Sequence, residues 1–265
     1  MGSTRYSRSP RDLDTLQTSL RTASTALRAE QVDLPDHRYL NDLIPKPWGH
    51  EFRVYSDDLY DVWKLRLDPG EATSTHCHPR KLTALLCLAG SAHLGTLQGA
   101  QTVSAGDLVI LEPGVFHGTR NAGDGALDLI EVEVPRNKLD LVRSHDRYGR
   151  TGTQYETERL ASIPELQASA LIPGGRLRKN ASLDGFEFTI RAGLDLVSRP
   201  CLELAFAVSL DIATALNHTV VVLPGWLVPT AAEHDGLYLT ITRSRADQAP
   251  GHRDLSTSSA IGGNP

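Results

Sequence analysis

The chain has 265 residues, 40% of them hydrophobic and 22% charged, with a formal net charge of −5. That length allows one large domain or two small ones with a sizeable core, and the composition is that of an ordinary soluble protein. The acidic balance excludes a nucleic-acid partner as an expectation, and no run of about 18 apolar residues offers a membrane span. The N-terminus also lacks the apolar stretch of a secretory signal. Three cysteines, Cys77, Cys87 and Cys201, are too sparse for a disulfide framework, and point to a reducing, cytoplasmic location.

Residues 11–31 carry Leu13, Leu16, Leu20, Ala23 and Leu27 at helical spacing, which predicts a helix with one apolar stripe inside an N-terminal extension, residues 1–42. Prolines 35, 45 and 47 break the chain beyond it. From about Glu51 the pattern becomes short runs rich in Val, Leu and Ile between Gly, Pro and Asp turns. "YDVWKLRLDPG" alternates Trp63, Leu65 and Leu67 with Lys64 and Arg66, whereas "LTALLCLAG" is nearly continuous and reads as a strand buried on both faces. Further strands are expected in "QTVSAGDLVILEPG" and "GALDLIEVEV", so that residues 43–150 read as an all-β sandwich or barrel. Residues 151–181 read as a linker, 182–245 as a second β-rich segment, and 246–265 as a polar, disordered tail. The stretches around Pro113-Gly114 and Pro224-Gly225 share a layout of strand, Pro-Gly, Asp-Gly and strand, with Val228 where the first has His117. A degenerate second repeat, or strands added to the first barrel, would both produce that echo.

"GEATSTHCHPRKL" places His76 and His78 two positions apart, so a strand would turn both to one face. Cys77 between them then faces away and reads as a small packing residue. A third histidine, His117, follows the Pro113-Gly114 turn, which can aim the next strand back toward the pair.

Gly70, His76, His78 and Gly90, followed by Gly106, Pro113-Gly114, His117 and Asn121, resemble the two sequence motifs of the cupin superfamily, over roughly residues 45–156. "KPWGHE", Lys46 to Glu51, and "DLVRSHDRYGRTGTQYE", Asp140 to Glu156, are similar to segments of sugar-phosphate isomerase cupins of the type II phosphomannose isomerase group. The resemblance implies a cupin-type β-barrel, or jelly roll, holding a divalent metal on His76, His78 and His117. In that group an Arg and then a Glu follow the His pair. Here Lys81 stands at the Arg position and Thr83 at the Glu position. A threonine hydroxyl is a poor ligand, so a site of three neutral imidazoles is expected. Fe or Zn would suit it, with Mn, Ni or Cu as alternatives.

The expected function is that of a metal-dependent cupin enzyme that isomerises or epimerises a sugar or sugar phosphate. A three-His Fe(II) oxygenase and a non-catalytic ligand-binding or structural cupin are the alternatives. Lys81, Glu51 and Tyr148 are the expected catalytic groups, and Arg80, Thr83, Trp48, Asn121 and Arg147 the expected substrate contacts. Glu112, Glu131 and Glu133 lie near the motifs, and one of them could enter the barrel as a general base. The resemblance also implies a small anionic or polyhydroxylated substrate and a homodimer.

Overall fold

Short runs of Val, Leu and Ile become strands here because each has a face, or two faces, to bury. The computed structural model describes residues 2–22, 42–137, 140–150, 161–162, 180–217 and 219–244. Strand β1 (Ser3–Tyr6) and helix α1 (Pro10–Thr22) open the chain. Then come β2 (Asp42–Lys46), β3 (Gly49–Ser56), β4 (Asp61–Leu67), β5 (Thr75–Cys77), β6 (Leu82–Ala89) and β7 (Ser91–Thr96). They are followed by β8 (Gly99–Ser104), β9 (Leu108–Leu111), β10 (His117–Asn121), β11 (Leu127–Val134), β12 (Val142–His145) and the short β13 (Ala161–Ser162). The last part contains β14 (Asn180–Leu183), β15 (Phe186–Ala192), α2 (Gly193–Ser198), β16 (Leu204–Ser209), α3 (Ile212–Leu216), β17 (Val222–Pro224), α4 (Val228–Ala231) and β18 (Leu237–Arg243).

The architecture is all-β, a jelly roll with a third sheet packed outside it. An eight-stranded sheet in the order β1-β9-β6-β11-β4-β3-β2-β13 faces a five-stranded sheet, β12-β5-β10-β7-β8. Trp63, Leu65, Leu85 and Leu129 of the first meet Leu94 and Val103 of the second, and this is the barrel interior. The third sheet, β14-β15-β18-β16-β17, covers the outer face of the first. Strand β6 is apolar throughout for that reason. Leu82, Ala84, Leu86 and Leu88 meet Phe186, Phe188, Phe206 and Ile241 outside, while Leu85 and Cys87 point into the barrel. Cys77 and Cys87 are free buried thiols, and burial raises both, Cys87 to about 12.

The N-terminal segment differs from a purely helical extension: β1 pairs in parallel with β9 and forms the edge of the large sheet. Leu16 of α1 packs against Cys77, Phe116 and Val142, but Leu13 and Leu20 are 40% and 38% exposed. The helix docks through Asp12 and Leu16 instead of a full stripe. Asp12, fully buried, accepts hydrogen bonds from the Ser9 hydroxyl at 2.5 Å and from the Phe116 backbone N–H at 2.9 Å. Ala23 and Leu27 lie outside the described residues. Asp12→Ala strands the Phe116 N–H beside His117 and removes the bond to the Ser9 hydroxyl at the start of the helix, and is expected to cost about 2–4 kcal/mol in urea unfolding.

Residues 180–244 form one sheet with three short helices, not a second two-sheet barrel. After Pro113-Gly114 the chain enters strand β10, but after Pro224-Gly225 it enters helix α4, and Val228 is buried against Leu196 and Tyr238. The echo between the two stretches is one of turn residues, and turn residues do not specify the element that follows. The tail 246–265 and nearly all of 151–179 lie outside the described residues.

Candidate metal centre

The site is built where three strands of the smaller sheet run side by side. His76 on β5 is opposite His117 on β10 and, on its other side, opposite Arg143 on β12. Opposed residues of an antiparallel ladder share a face, so one row delivers two imidazoles and a guanidinium to the barrel interior. His78, two residues beyond His76, returns to the same face. The Pro113-Gly114 turn is tied to this strand by the Gly114 N–H, which donates to the His78 carbonyl at 2.8 Å. Gly114 sits at φ 85°, a conformation that disfavours other residues.

The ring centroids of His76, His78 and His117 stand 4.5, 5.1 and 5.6 Å apart, with one ligand atom from each within 4.8 Å of the others. Every Nδ1 faces a backbone carbonyl: Ser74 for His76 at 2.9 Å, Asp140 for His78 at 2.7 Å and Val115 for His117 at 3.0 Å. A carbonyl only accepts, so each Nδ1 carries the proton and each Nε2 presents a lone pair. Metal-binding imidazoles are held in this way. Burial and the neighbouring rings hold His76 well below the ordinary imidazole range, and burial, with His78, takes His117 down to about 4. Both are therefore neutral at pH 7, the state a metal requires.

Two carboxylates that the motifs do not include complete the floor. Glu131 and Glu133 on β11 place an oxygen 3.9 and 3.8 Å from His78 Nε2, and form with it a second grouping able to hold a metal ion. The cavity over these groups has a volume of about 60 Å³, room for a few water molecules. Trp48, Glu51, Lys46, Arg143 and Arg150 line its walls and mouth. Lys46 Nζ stands 3.8 Å from Glu51 Oε1. No such metal-capable grouping occurs in residues 180–244 among the described residues.

The other expected site residues divide clearly. Trp48 and Glu51 line the cavity. The turn that carries them requires glycine, because a Cβ on Gly49 would lie 2.1 Å from the Arg66 carbonyl oxygen. Lys81 is buried and bonded to Glu133 at 2.5 Å, behind the cavity wall. Thr83 is buried beside it, its hydroxyl without a hydrogen-bond partner among the described residues. Arg80 reaches outward to Asp140 at 3.0 Å, and thereby steadies the residue whose carbonyl holds His78. Asn121 secures the loop after β10, donating to the Leu67 and Gly125 carbonyls. Tyr148 and Arg147 both bind Glu71, away from the cavity. These last four do not reach the ring cluster because their polar groups are engaged by backbone or loop carboxylates. Lys46, Arg143 and Arg150 were not singled out, although all three lie in the segments KPWGHE and DLVRSHDRYGRTGTQYE quoted for the resemblance.

Residues 63–133 match the cupin domain family. A stretch of the chain is also similar to curated proteins. Mannose-1-phosphate guanylyltransferase of Escherichia coli (strain K12) is 29% identical over 117 residues, 43% of this chain and 24% of that protein. Xanthan biosynthesis protein XanB of Xanthomonas campestris pv. campestris (strain B100) is 26% identical over 110 residues, 41% of this chain and 24% of that one. The chain thus spans about a quarter of the length of these relatives. Among solved structures, a sugar phosphate isomerase of the cupin superfamily from Silicibacter pomeroyi is 18% identical at a TM-score of 0.35, covering 41% of this chain and 79% of that one.

Proposed function

We propose that the cupin domain is a metal-dependent enzyme site for a small polyhydroxylated or anionic substrate, with isomerisation or epimerisation of a sugar or sugar phosphate as its reaction. The observation that carries this reading is the convergence of three Nε2 lone pairs beside buried carboxylates, in a cavity that Lys46, Arg143 and Arg150 help to line. The similarity of 117 residues of the chain to a mannose-1-phosphate guanylyltransferase supports the sugar-phosphate class. His76, His78 and His117 would hold a divalent ion, which would supply a Lewis acid for a substrate carbonyl. The cations lining the cavity bind and orient an anionic end of the substrate. Glu51, on the cavity wall, takes a proton from the carbon next to the carbonyl and returns it to the neighbouring position. Trp48 covers the apolar side and excludes water. Since the cavity is small, most of a sugar lies in the open mouth.

The test is incubation of metal-loaded protein with a panel of hexoses and hexose phosphates in D₂O, read by NMR for deuterium at the carbon next to the carbonyl. Exchange that disappears in Glu51→Gln is the expected result. No exchange with any member of the panel, or exchange unchanged in Glu51→Gln, contradicts it. His117→Ala is expected to bind metal at least about 10-fold more weakly, read as ion stoichiometry after purification without chelator.

A further inference from the structure

We infer that Glu133, on strand β11, supplies the carboxylate of the metal site, in place of the motif position that Thr83 occupies. This rests on the metal reading above and concerns which residue completes the ligand set. Thr83 on β6 and Glu133 on β11 are direct cross-strand partners. Opposed side chains on one face stand about 4.5–5.5 Å apart at Cβ. A glutamate at 133 therefore reaches toward the same interior point as a side chain at 83.

Three buried polar atoms around this point have no hydrogen-bond partner among the described residues: His78 Nε2, Glu133 Oε2 and the Thr83 hydroxyl. Glu133 itself is fully buried. Leaving an imidazole lone pair and a carboxylate oxygen unsatisfied in one buried place is costly unless something between them accepts both. His78 Nε2 and Glu133 Oε1 are 3.8 Å apart, too far for a hydrogen bond. Two ligands of one ion at about 2.1 Å each stand roughly 3.0–3.4 Å apart, so His78 and Glu133 each need to move by only a few tenths of an ångström to share one, and His78 is the residue common to the histidine trio and the carboxylate grouping.

Lys81 fits the same scheme. Its ammonium, buried with Glu133, bonds Oε1, the oxygen that stands 3.8 Å from His78 Nε2, and fixes the carboxylate beside the rings, while Oε2 keeps no hydrogen-bond partner among the described residues. It acts as a positioning residue. Glu131, two residues earlier on the same face, lies opposite Leu85 and Trp63 and not opposite the motif position. The ligand set becomes three imidazoles and one carboxylate, and hard ions such as Mn(II) regain an oxygen ligand.

The experiment is titration of chelator-treated full chain with Mn(II), followed by calorimetry and by the Mn(II) electron-paramagnetic-resonance signal, for wild type, Glu133→Gln, Glu131→Gln and the double variant Lys81→Met/Glu133→Gln. Circular dichroism and a thermal melt show whether each is folded. The double variant serves if Glu133→Gln alone leaves Lys81 too poorly compensated to fold. The expected result is one ion per wild-type chain, at least 10-fold weaker binding in both Glu133 variants and less than threefold weaker binding in Glu131→Gln. Wild-type affinity in the Glu133 variants overturns the assignment while leaving the metal reading intact. Loss confined to Glu131→Gln moves the carboxylate to the other residue and overturns it equally. Wild-type protein that binds no ion overturns both.

Discussion

Lys64→Met is expected to destabilise the protein by about 3–5 kcal/mol, because it removes the cation from a buried charge cluster and leaves carboxylates behind. Lys64 is on β4 and fully buried, and its ammonium contacts Asp128 of β11 and Asp184 of the β14–β15 turn. Arg66 reaches Asp184 at 3.1 Å, and His50 reaches it at 2.9 Å. The cluster fastens the third sheet to the barrel. Asp184 at φ 52° and Gly185 at φ 78° form the two-residue hairpin turn that delivers the carboxylate. Methionine keeps the stem volume and deletes the charge, so urea unfolding reports the electrostatic loss. A change below about 1 kcal/mol would count against a role in docking.

The same cluster sets an acid limit. Burial pushes the Asp184 carboxyl upward, but the His50 hydrogen bond and the Lys64 charge outweigh it and hold the group well below the usual carboxylate range. A carboxyl with a lower pKa folded than unfolded stabilises the fold fully above its unfolded value, about 3.9. That stabilisation is lost as pH falls below it. Asp184→Asn, which tolerates the positive φ, should therefore lower stability at pH 7 and flatten the dependence on pH below about 4. An acid limb as steep as that of the wild type would refute the assignment.

The second large effect is expected at Thr83. Thr83→Glu inserts a carboxylate opposite Glu133 and two strand positions from Glu131's partner Leu85, all buried. Like charges in direct cross-strand contact repel, and the larger side chain must also be fitted in. Chelator-treated Thr83→Glu should lose roughly 2–4 kcal/mol, a fall in Tm of about 5–15 °C for a chain of this size. Added Mn(II) or Zn(II) neutralises the crowded acids, so the Tm rise on metal addition should exceed that of wild type. Turnover should fall, because the new oxygen takes a position a substrate needs. Differential scanning calorimetry with and without metal reads both effects. Equal melting of the two metal-free proteins, with equal metal-induced shifts, would mean that position 83 does not face the ion.

Much of this was legible in the residues. His76 and His78 had to share a face if they lay on a strand, because alternation is a property of the backbone, and the Pro113-Gly114 turn announced the return of His117. The unbroken apolar run of β6 required burial on both faces. What the run could not specify was its cover, since any apolar surface serves, and only the assembled fold put Phe186, Phe188 and Phe206 there. The expectation of a ligand set of three imidazoles came from a sequence motif. A motif records only neighbours along the chain, and by that resemblance Thr83 reads as standing where an acid is expected. Glu133 is fifty residues away in sequence, yet hydrogen-bond register makes it Thr83's direct partner across the sheet. Register depends on the pairing of β6 with β11, a long-range choice settled by packing of both faces, and no local pattern encodes it. The histidines were thus determined by the sequence, and the carboxylates, Lys81 and Arg143 around them by tertiary structure.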